Sequence, residues 1–363
     1  MSGRSDDELR TQIDGIVRAA MGSVPVRLDE LSAGLGTRRF FRAELDAGAP
    51  TSLIVRVEPA EPAALPAGIA PEPSMEPIRD FLERSGLPVP ARLADDTEAG
   101  ITLLEDLGDE SLEAAAAHVQ PAQRRALYEQ ACNLIPRLQR LAPPEPALPA
   151  FERRLDAALI ASKAVKWIEW AVPALLHRQA TPAERQTVMS AFAFIAEIAE
   201  TAPARLAHRD FKAANLHRRP GARGRPELVM IDVQGAFLAP PEYDLVCLLR
   251  DSHMPLPESE VAAHCERVRI ELPDSPSPDD FARRFDLLTL ARVSKDLSHY
   301  LEAARNRDDT RYLAFVPAGL ANLRAAAPRA AERDAILIAL ADHFTSIPAD
   351  AMTDALGETT CAP

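Results

Sequence analysis

The chain has 363 residues, of which 47% are hydrophobic and 5% aromatic, so it is long enough for one large domain or two ordinary ones. Its 54 acidic residues exceed its 41 basic ones and give a net charge of −13, which argues against a protein that grips a nucleic-acid backbone. Four scattered cysteines without a C-x-x-C pair indicate neither a zinc cluster nor a disulfide framework. No apolar run approaches a membrane span and no export signal is visible, so we expect a soluble cytoplasmic protein that binds neither nucleic acid nor membrane.

The N-terminal third predicts a small β-rich lobe. A capping box at Ser5–Glu8 starts a helix whose apolar residues recur on one face. The predicted order after it is three strands, a helix and two strands. These elements lie at Val24–Leu31, Arg39–Leu45 and Ser52–Val57, then near Ser74–Ser85, then near Ala91–Ala94 and Ile101–Leu104.

The remainder of the chain, from Asp109 onward, has a helical pattern. Two segments interrupt it: a loop at Ala207–Arg219 and a short β-like stretch at Glu227–Ile231. A small β-rich lobe therefore precedes a large helical one.

The most informative motif is the segment His208–Asn215, which reads HRDFKAAN and is followed by Asp232, 22 residues after Asp210. Phosphoryl transfer needs one carboxylate beside the incoming hydroxyl, and a carboxylate and an amide oxygen that hold magnesium against the phosphates. Asp210, Asp232 and Asn215 supply these groups. The H-R-D tripeptide alone would equally suit a surface turn, but the asparagine five positions after Asp210 makes the combination specific.

With these motifs, and with the segments Arg38–Arg42, Leu104–Gly108 and Tyr243–Asp251, the sequence resembles the aminoglycoside phosphotransferase family, the small-molecule relatives of eukaryotic-type protein kinases. Within that family it is most similar to bacterial kinases that phosphorylate N-acetylmuramate and N-acetylglucosamine at the anomeric carbon during cell-wall sugar recycling. The resemblance implies an α+β, two-lobed, protein-kinase-like fold with a small antiparallel β-rich N-lobe and a large helical C-lobe.

The same resemblance implies domain boundaries, cofactors and a substrate. It assigns a nucleotide-binding lobe to residues 1–104, a hinge to 105–108, and a helical catalytic and acceptor-binding lobe to 109–363. The expected cofactors are ATP and Mg²⁺, and the expected acceptor is a small molecule with a hydroxyl group, an amino sugar in the first instance.

The resemblance also implies roles for single residues of the catalytic segment. Asp210 matches the catalytic base, and Asn215 and Asp232 match the magnesium ligands. Lys212 stands two residues after Asp210, as in many protein kinases, where a lysine can contact the transferred phosphoryl group. Sugar kinases of this group often have a neutral side chain there, so Lys212 weakens the assignment of the acceptor.

The expected nucleotide-binding residues lie in the N-lobe. Leu104, Glu105 and Leu107 match the hinge whose backbone pairs with adenine, and Arg56 takes the position of the usual phosphate-binding lysine with a planar fork of donors. Glu76 is either the partner of Arg56 or a solvated carboxylate in the first turn of a helix. Gly34 and Gly36 permit a turn that covers the phosphates, although an ordinary hairpin loop has the same composition.

Other residues have two readings that the sequence leaves open. Asp244 is either a buried anchor of the catalytic loop or a carboxylate at a helix start. Trp167, Trp170 and His177 form either an acceptor-binding wall or part of the core. The spacing does not select among the C-terminal residues that can face the acceptor: Arg292, Lys295, Asp296, His299 and Tyr300.

Two alternative functions follow from the same residues. The first is the same reaction on another acceptor, such as an aminoglycoside or another small alcohol. The second is a pseudokinase that binds nucleotide without transferring phosphate, which the replacement of the usual lysine by Arg56 keeps open.

Overall fold

The computed structural model describes residues 5–31, 38–46, 50–59, 75–220 and 226–348, which group into two compact units. The first, here called the sheet unit, comprises the described residues up to 59 together with Leu82–Glu110 and His217–Ile231. The second, the helical unit, comprises residues 75–81, Ser111–Leu216 and the described residues from Asp232 onward. The domain boundaries implied by the resemblance stay a prediction.

The sheet unit contains a five-stranded sheet in which every pairing is antiparallel. The predicted order of three strands, a helix and two strands is confirmed, and the strands lie in the spatial order β1-β2-β3-β5-β4. Their bounds are Arg27–Glu30 (β1), Arg39–Glu44 (β2), Ser52–Val57 (β3), Arg92–Asp96 (β4) and Ile101–Glu105 (β5).

The first helix, Asp6–Met21 (α1), covers the core of the sheet unit. Its capping box forms as predicted, since the Ser5 hydroxyl accepts the backbone N–H of Glu8 while the Glu8 carboxylate accepts that of Ser5. Three helix residues spaced four apart are buried in one cluster with residues of the middle strands, as an apolar stripe of period 3.6 requires. The members are Leu9, Ile13 and Val17 with Phe41, Leu53, Val55 and Leu103.

The helical unit is organised around a helix of 30 residues, Pro278–Arg307 (α12), whose buried residues extend along most of its length. The other helices are Met75–Arg84 (α2), Leu112–Ala117 (α3), Pro121–Cys132 (α4), Leu134–Gln139 (α5), Pro149–Glu152 (α6), Ala157–Lys166 (α7), Val172–Leu176 (α8), Pro182–Thr201 (α9), Tyr243–Leu249 (α10), Glu258–Arg269 (α11), Val316–Arg333 (α13) and Ile338–Ser346 (α14). Helix α2 has residues in both units.

The predicted loop Ala207–Arg219 is only partly irregular. It follows a strand at Arg205–Ala207 (β6) and ends in another at Leu216–Arg219 (β7), which pairs with Glu227–Met230 (β8), while β6 pairs with Phe237–Ala239 (β9). The prediction missed β7 because its sequence, LHRR, lacks the alternation of apolar and polar residues that marks a strand. Among the described residues, no helix is both long and apolar enough to span a bilayer.

Candidate active site

The loop between β6 and β7 is held at its start by Asp244, in the first turn of α10. The backbone N–H groups of His208 and Arg209 donate to the two carboxylate oxygens of Asp244 at 2.7 and 3.0 Å. Burial raises the pKa of Asp244, and the two donors favour its charged form against that effect. The predicted anchor is therefore confirmed.

Arg209 adopts a strained backbone conformation inside this anchor. Its φ is +80°, which costs a residue other than glycine about 1–3 kcal/mol and persists only where surrounding contacts enforce it. Besides the bond to Asp244, the carbonyl of Arg209 accepts from Arg292 Nη1 at 2.6 Å. The anchor thus fixes the peptide that leads directly into Asp210.

The second half of the loop orients Asn215. Its amide Nδ2 donates to the backbone carbonyl of Asp210 at 2.9 Å, and the N–H of Lys212 donates to the same carbonyl at 2.8 Å. Because the amide nitrogen is used in this bond, the Oδ1 atom of Asn215 is the end that is left to accept a ligand. The loop therefore brings Asp210 and Asn215 together in a fixed arrangement.

Asp232 belongs to the same helical unit and lies two residues after the end of β8. Its φ of +62° places it in the left-handed region, and the side-chain amide of Gln234 donates to its Oδ1 atom. Asp232 is exposed, whereas Val233 and Gln234 beside it are buried. The turn therefore presents the carboxylate outward on a rigid base.

Asn215 and Asp232 fit a magnesium ion by the chemistry of their donor atoms. An amide oxygen and a carboxylate are hard oxygen ligands, and Mg²⁺ in phosphoryl-transfer sites takes one or two protein ligands with phosphates and water completing the shell. Within the described residues, no three or more His, Cys, Asp or Glu side chains are grouped so as to hold a metal by themselves. The pair suits an ion that is shared with a bound phosphate.

Arg292 of α12 is the residue that the sequence did not select and the structure places on the catalytic loop. Its guanidinium donates to three acceptors: Asp210 Oδ1 at 2.9 Å, the carbonyl of Arg209 at 2.6 Å and Asp296 Oδ2 at 2.8 Å. This planar fork fixes the rotamer of Asp210, since one carboxylate oxygen is tied down and the other stays available.

The surroundings of Asp210 determine its charge. Burial alone would raise its pKa, but the positive charges of Arg292, Lys295, Arg209 and Lys212 outweigh burial and hold the pKa far below its ordinary value. Asp210 is thus a carboxylate at neutral pH. About a third of its side chain is exposed (31%), so a ligand can reach it.

Arg56 lies in the sheet unit, on the middle strand β3. Its side chain is buried, and its Nη2 atom lies 3.3 Å from Thr102 Oγ1 and 3.2 Å from Glu58 Oε1. Glu58 also accepts from Arg38 at 3.0 Å, so it serves two arginines. Glu76 belongs to the helical unit, and both its pairing with Arg56 and the phosphate-binding role of Arg56 stay predictions.

The predicted hinge begins at the end of β5. Leu104 is buried in the sheet, and the Glu105 side chain accepts from the N–H of Ala91 at 3.0 Å and from Arg219 at 2.9 Å. The N–H of Glu105 donates to the Ala91 carbonyl, and the pairing of the hinge backbone, including Leu107, with adenine stays a prediction. Gly34 and Gly36 lie outside the described residues.

The two tryptophans have different roles. Trp167 is fully buried, donates from its indole to His343 Nε2 at 3.0 Å and packs edge-on against Phe344, so it belongs to the core. Trp170 is partly exposed and meets His299 of α12 edge-on at 5.4 Å. His177 is exposed at the end of α8. The structure thus separates three residues that helical spacing alone left as one group.

Four of the five C-terminal candidates form a polar stripe along α12. Three of them follow Arg292 by three, four and seven residues, so all four share one face of the helix. A stripe of this kind on an otherwise buried helix is a signal that the sequence contains. Its members are Arg292, Lys295, Asp296 and His299.

Comparisons with known proteins agree with this geometry. The chain matches the phosphotransferase enzyme family over residues 27–281, which is more than half of its length. It belongs to that family. Among curated proteins it is similar to the N-acetylmuramate/N-acetylglucosamine kinase of Pseudomonas aeruginosa, with 26% identity over 335 residues and 89% of each chain covered. The protein of the same name from Neisseria meningitidis is 28% identical over 301 residues, covering 81% of this chain and 84% of that one.

Solved structures resemble the fold at lower identity. Choline kinase LicA from Streptococcus pneumoniae superposes with a TM-score of 0.57 at 14% identity, covering 87% of this chain and 99% of the other. The ADP-bound aminoglycoside phosphotransferase APH(2'')-Ib gives 0.51 at 16% identity, covering 87% and 96%. The predicted α+β, protein-kinase-like fold is confirmed. So is the predicted reaction class, and the chain is a small-molecule kinase that phosphorylates a hydroxyl group.

Proposed function

We propose that this kinase uses ATP and magnesium to phosphorylate the anomeric hydroxyl of an amino sugar, N-acetylmuramate or N-acetylglucosamine. The observation that carries the proposal is the catalytic loop, in which Asp210 is an ionised, oriented carboxylate beside the fixed amide of Asn215. The choice of sugar is supported by relatives of that name that match more than four-fifths of the chain. The choice of nucleotide is supported by similar folds solved with ADP and with AMP.

Asp210 acts on the attacking hydroxyl. Its free carboxylate oxygen accepts the hydrogen bond of the sugar O1–H and aims that oxygen at the γ-phosphorus. Its low pKa makes it a weak base, so it takes the proton only as the new O–P bond forms and the bond to ADP breaks. The main role of Asp210 is therefore to position the attacking hydroxyl, and Arg292 orients Asp210 for that role.

The remaining charges offset the phosphates. Lys212 and Arg209 stand close enough to Asp210 to lower its pKa, and their positive charges would stabilise the charge that builds up on the transferred group. A magnesium ion held by Asn215 Oδ1 and Asp232 would neutralise the β- and γ-phosphate oxygens. Together these groups would account for transfer without a covalent intermediate.

The test is incubation with MgATP and a panel of acceptors, with phosphorus NMR and mass spectrometry identifying the product. We expect an acid-labile 1-phosphate from N-acetylmuramate or N-acetylglucosamine, and no product from their methyl glycosides, which keep the ring but lack the O1–H. Phosphorylation of the methyl glycoside would place the phosphate on another hydroxyl. Turnover of an aminoglycoside alone would replace the proposal by its competitor.

A further inference from the structure

The chain contains few lysines, and they lie near the part of the site where we expect the acceptor to bind. The sequence holds 41 basic residues, but only four of them are lysines: Lys163, Lys166, Lys212 and Lys295. All four fall in the helical unit. They are linked through space to the catalytic loop, because Lys212 and Lys295 act on the charge of Asp210 and Lys295 acts on those of Lys163 and Lys166.

Lys166 contacts two rings rather than a carboxylate. Its Nζ atom lies 3.1 Å from His299 Nε2 and 5.5 Å from the centre of the Trp170 ring. Within the described part of the chain it forms no ion pair, and the carboxylate that attracts it, Glu302, is paired with Arg307 at 2.8 Å. Burial lowers the pKa of Lys166, and a bound anion would offset this effect because it favours the charged ammonium.

His299 holds this ammonium without neutralising it. Burial, with the charges of Lys295 and Lys166, lowers the pKa of His299 to about 3, so its ring is neutral at pH 7. The Nε2 atom of a neutral ring accepts a hydrogen bond from the Lys166 ammonium, and the rings of His299 and Trp170 meet edge to face. The group of Lys166, Trp170, Lys295 and His299, here called the Lys166 cluster, is thus oriented. Lys295 is paired with Asp296 at 3.1 Å, so the positive charge that no ion pair offsets is that of Lys166.

The helix that contains Lys166 changes its hydrogen-bond pattern directly after this residue. Pro173 has no N–H and cannot donate to the carbonyl of Glu169 four residues earlier, so a regular α-helix is interrupted here. A π-helical turn takes its place at Trp167–Ala171, in which the N–H of Val172 donates to the carbonyl of Trp167. Such turns are frequent at functional sites, and this one begins directly after Lys166.

The position of the cluster relative to Asp210 follows from α12. Arg292 contacts Asp210, and His299 contacts Lys166. These two helix residues are seven positions apart, which is about two turns or roughly 10 Å along the axis. A ligand whose reacting hydroxyl lies at Asp210 can therefore extend along α12 and place a charged group at Lys166.

We propose that the Lys166 cluster binds a carboxylate carried by the acceptor and selects acceptors that have one. This inference rests on the proposed function. Of its two sugars, N-acetylmuramate carries a lactyl carboxylate on O3, whereas N-acetylglucosamine has a hydroxyl there and is otherwise identical. The cluster is a specificity site for the acceptor, separate from the groups that move the phosphate.

The first experiment compares kcat/KM for the two sugars in the wild type, Lys166→Met, Lys166→Arg and the control Arg267→Met, which removes an exposed cation of the same unit. The wild type is expected to prefer N-acetylmuramate. Lys166→Met should lose roughly 10- to 100-fold for N-acetylmuramate, the usual worth of a charge-assisted hydrogen bond, through KM. Its kcat/KM for N-acetylglucosamine and its KM for ATP should not change, and Lys166→Arg should keep the preference.

The second experiment measures binding rather than turnover. With four lysines in the chain, acylation by an amine-reactive reagent can be assigned by peptide mass spectrometry. N-acetylmuramate should protect Lys166 from acylation, while N-acetylglucosamine at the same saturation should not. Equal protection by both sugars would contradict the proposal.

The outcomes separate this inference from the proposed function. Equal losses for both sugars in Lys166→Met, or a raised KM for ATP, would overturn the carboxylate site and leave the sugar kinase intact. Failure of the wild type to phosphorylate either sugar would remove the proposed function and the carboxylate site with it. A folded Lys166→Met variant is confirmed by an unchanged melting temperature.

Discussion

The sheet unit and the helical unit use positive charge differently. In the sheet unit the Lys and Arg residues are all arginines, and several of them form closed pairs: Arg39 with Glu30 and Asp6, Arg42 with Asp106 and Asp109, and Arg219 with Glu105 and Glu227. In the helical unit, Lys166 and Lys212 have no ion-pair partner among the described residues, and both lie near the groups that surround Asp210. An arginine that is paired with a carboxylate contributes to the stability of the fold, whereas a lysine without an ion-pair partner is available to bind a substrate.

The chemistry of arginine and lysine side chains fits this difference between the two units. The fork of arginine suits a fixed, bidentate contact with a carboxylate, and Arg284 on Glu242 shows the same use inside the helical unit. Lysine presents a compact charge on a flexible stem, which suits a ligand that arrives and leaves. Arg292 combines the two modes, since it closes a pair with Asp296 and also orients Asp210.

The largest loss of turnover is expected when the proposed magnesium ligand of the helical unit, Asp232, is removed. In Asp232→Ala, the carboxylate that would hold magnesium is lost, and turnover should fall roughly 100-fold or more because metal ions stabilise phosphoryl charge by several kcal/mol. The magnesium concentration for half-maximal rate should rise as well. Titration of the initial rate with Mg²⁺ measures both quantities, with Asp279→Ala, which removes an exposed carboxylate from the first turn of α12, as the control. A titration curve unchanged from the wild type would exclude Asp232 from the site.

A smaller effect is expected for the arginine that orients the base. Arg292→Met removes charge-assisted bonds of about 1.5–3 kcal/mol, so kcat should fall roughly 10- to 100-fold. The pH profile should change too. A carboxylate with a depressed pKa stays ionised until the pH falls through that low value, so the wild type keeps its rate at mildly acidic pH. Without Arg292 the pKa of Asp210 rises, and the rate should decline at a higher pH.

The conservative variant separates this role from mere packing. Arg292→Lys keeps the charge and should restore the acidic side of the profile, although a single ammonium cannot replace the fork. The measurement is kcat against pH for the wild type and both variants. A profile of the same shape in Arg292→Met would show that the side chain is structural only.

The smallest effect is expected in the closed pairs of the sheet unit. Arg39→Met breaks an exposed network with Glu30 and Asp6, and surface ion pairs contribute about 0–1 kcal/mol. The free energy of unfolding, measured with a denaturant, should fall by no more than that, and kcat should stay at the wild-type value. A marked loss of kcat would contradict the distinction between the paired arginines of the sheet unit and the unpaired lysines of the helical unit.

The sequence predicted those parts of the site that are close together along the chain. Asp210 and Asn215 are five residues apart and joined by one hydrogen bond, so a local motif contains their geometry. Arg292 lies 82 residues from Asp210, and Lys166 lies 133 residues from His299. No periodicity within one helix tells which distant loop it will meet, so these contacts were beyond the sequence.

Secondary structure followed the same rule. The order of strands and helix along the sheet unit, and helix α1 itself, were predictable, because alternation and a capping box are local signals. Trp167 and Trp170 were not distinguishable, since core and ligand wall have the same helical spacing. Both rings lie in the π-helical turn Trp167–Ala171, which ends two residues before Pro173, and no local pattern showed that one ring is in the core and the other beside His299.

The most direct test of the account is single-turnover phosphoryl transfer by Asp210→Asn, measured by rapid quench with N-acetylmuramate and ATP. The amide keeps the shape of the carboxylate but removes its charge and its capacity to accept the proton. The account predicts nucleotide affinity close to that of the wild type, and transfer to the sugar slowed on the order of 100-fold or more. Transfer at a near-normal rate in the folded variant would contradict the assignment of Asp210 as the group that orients and deprotonates the acceptor.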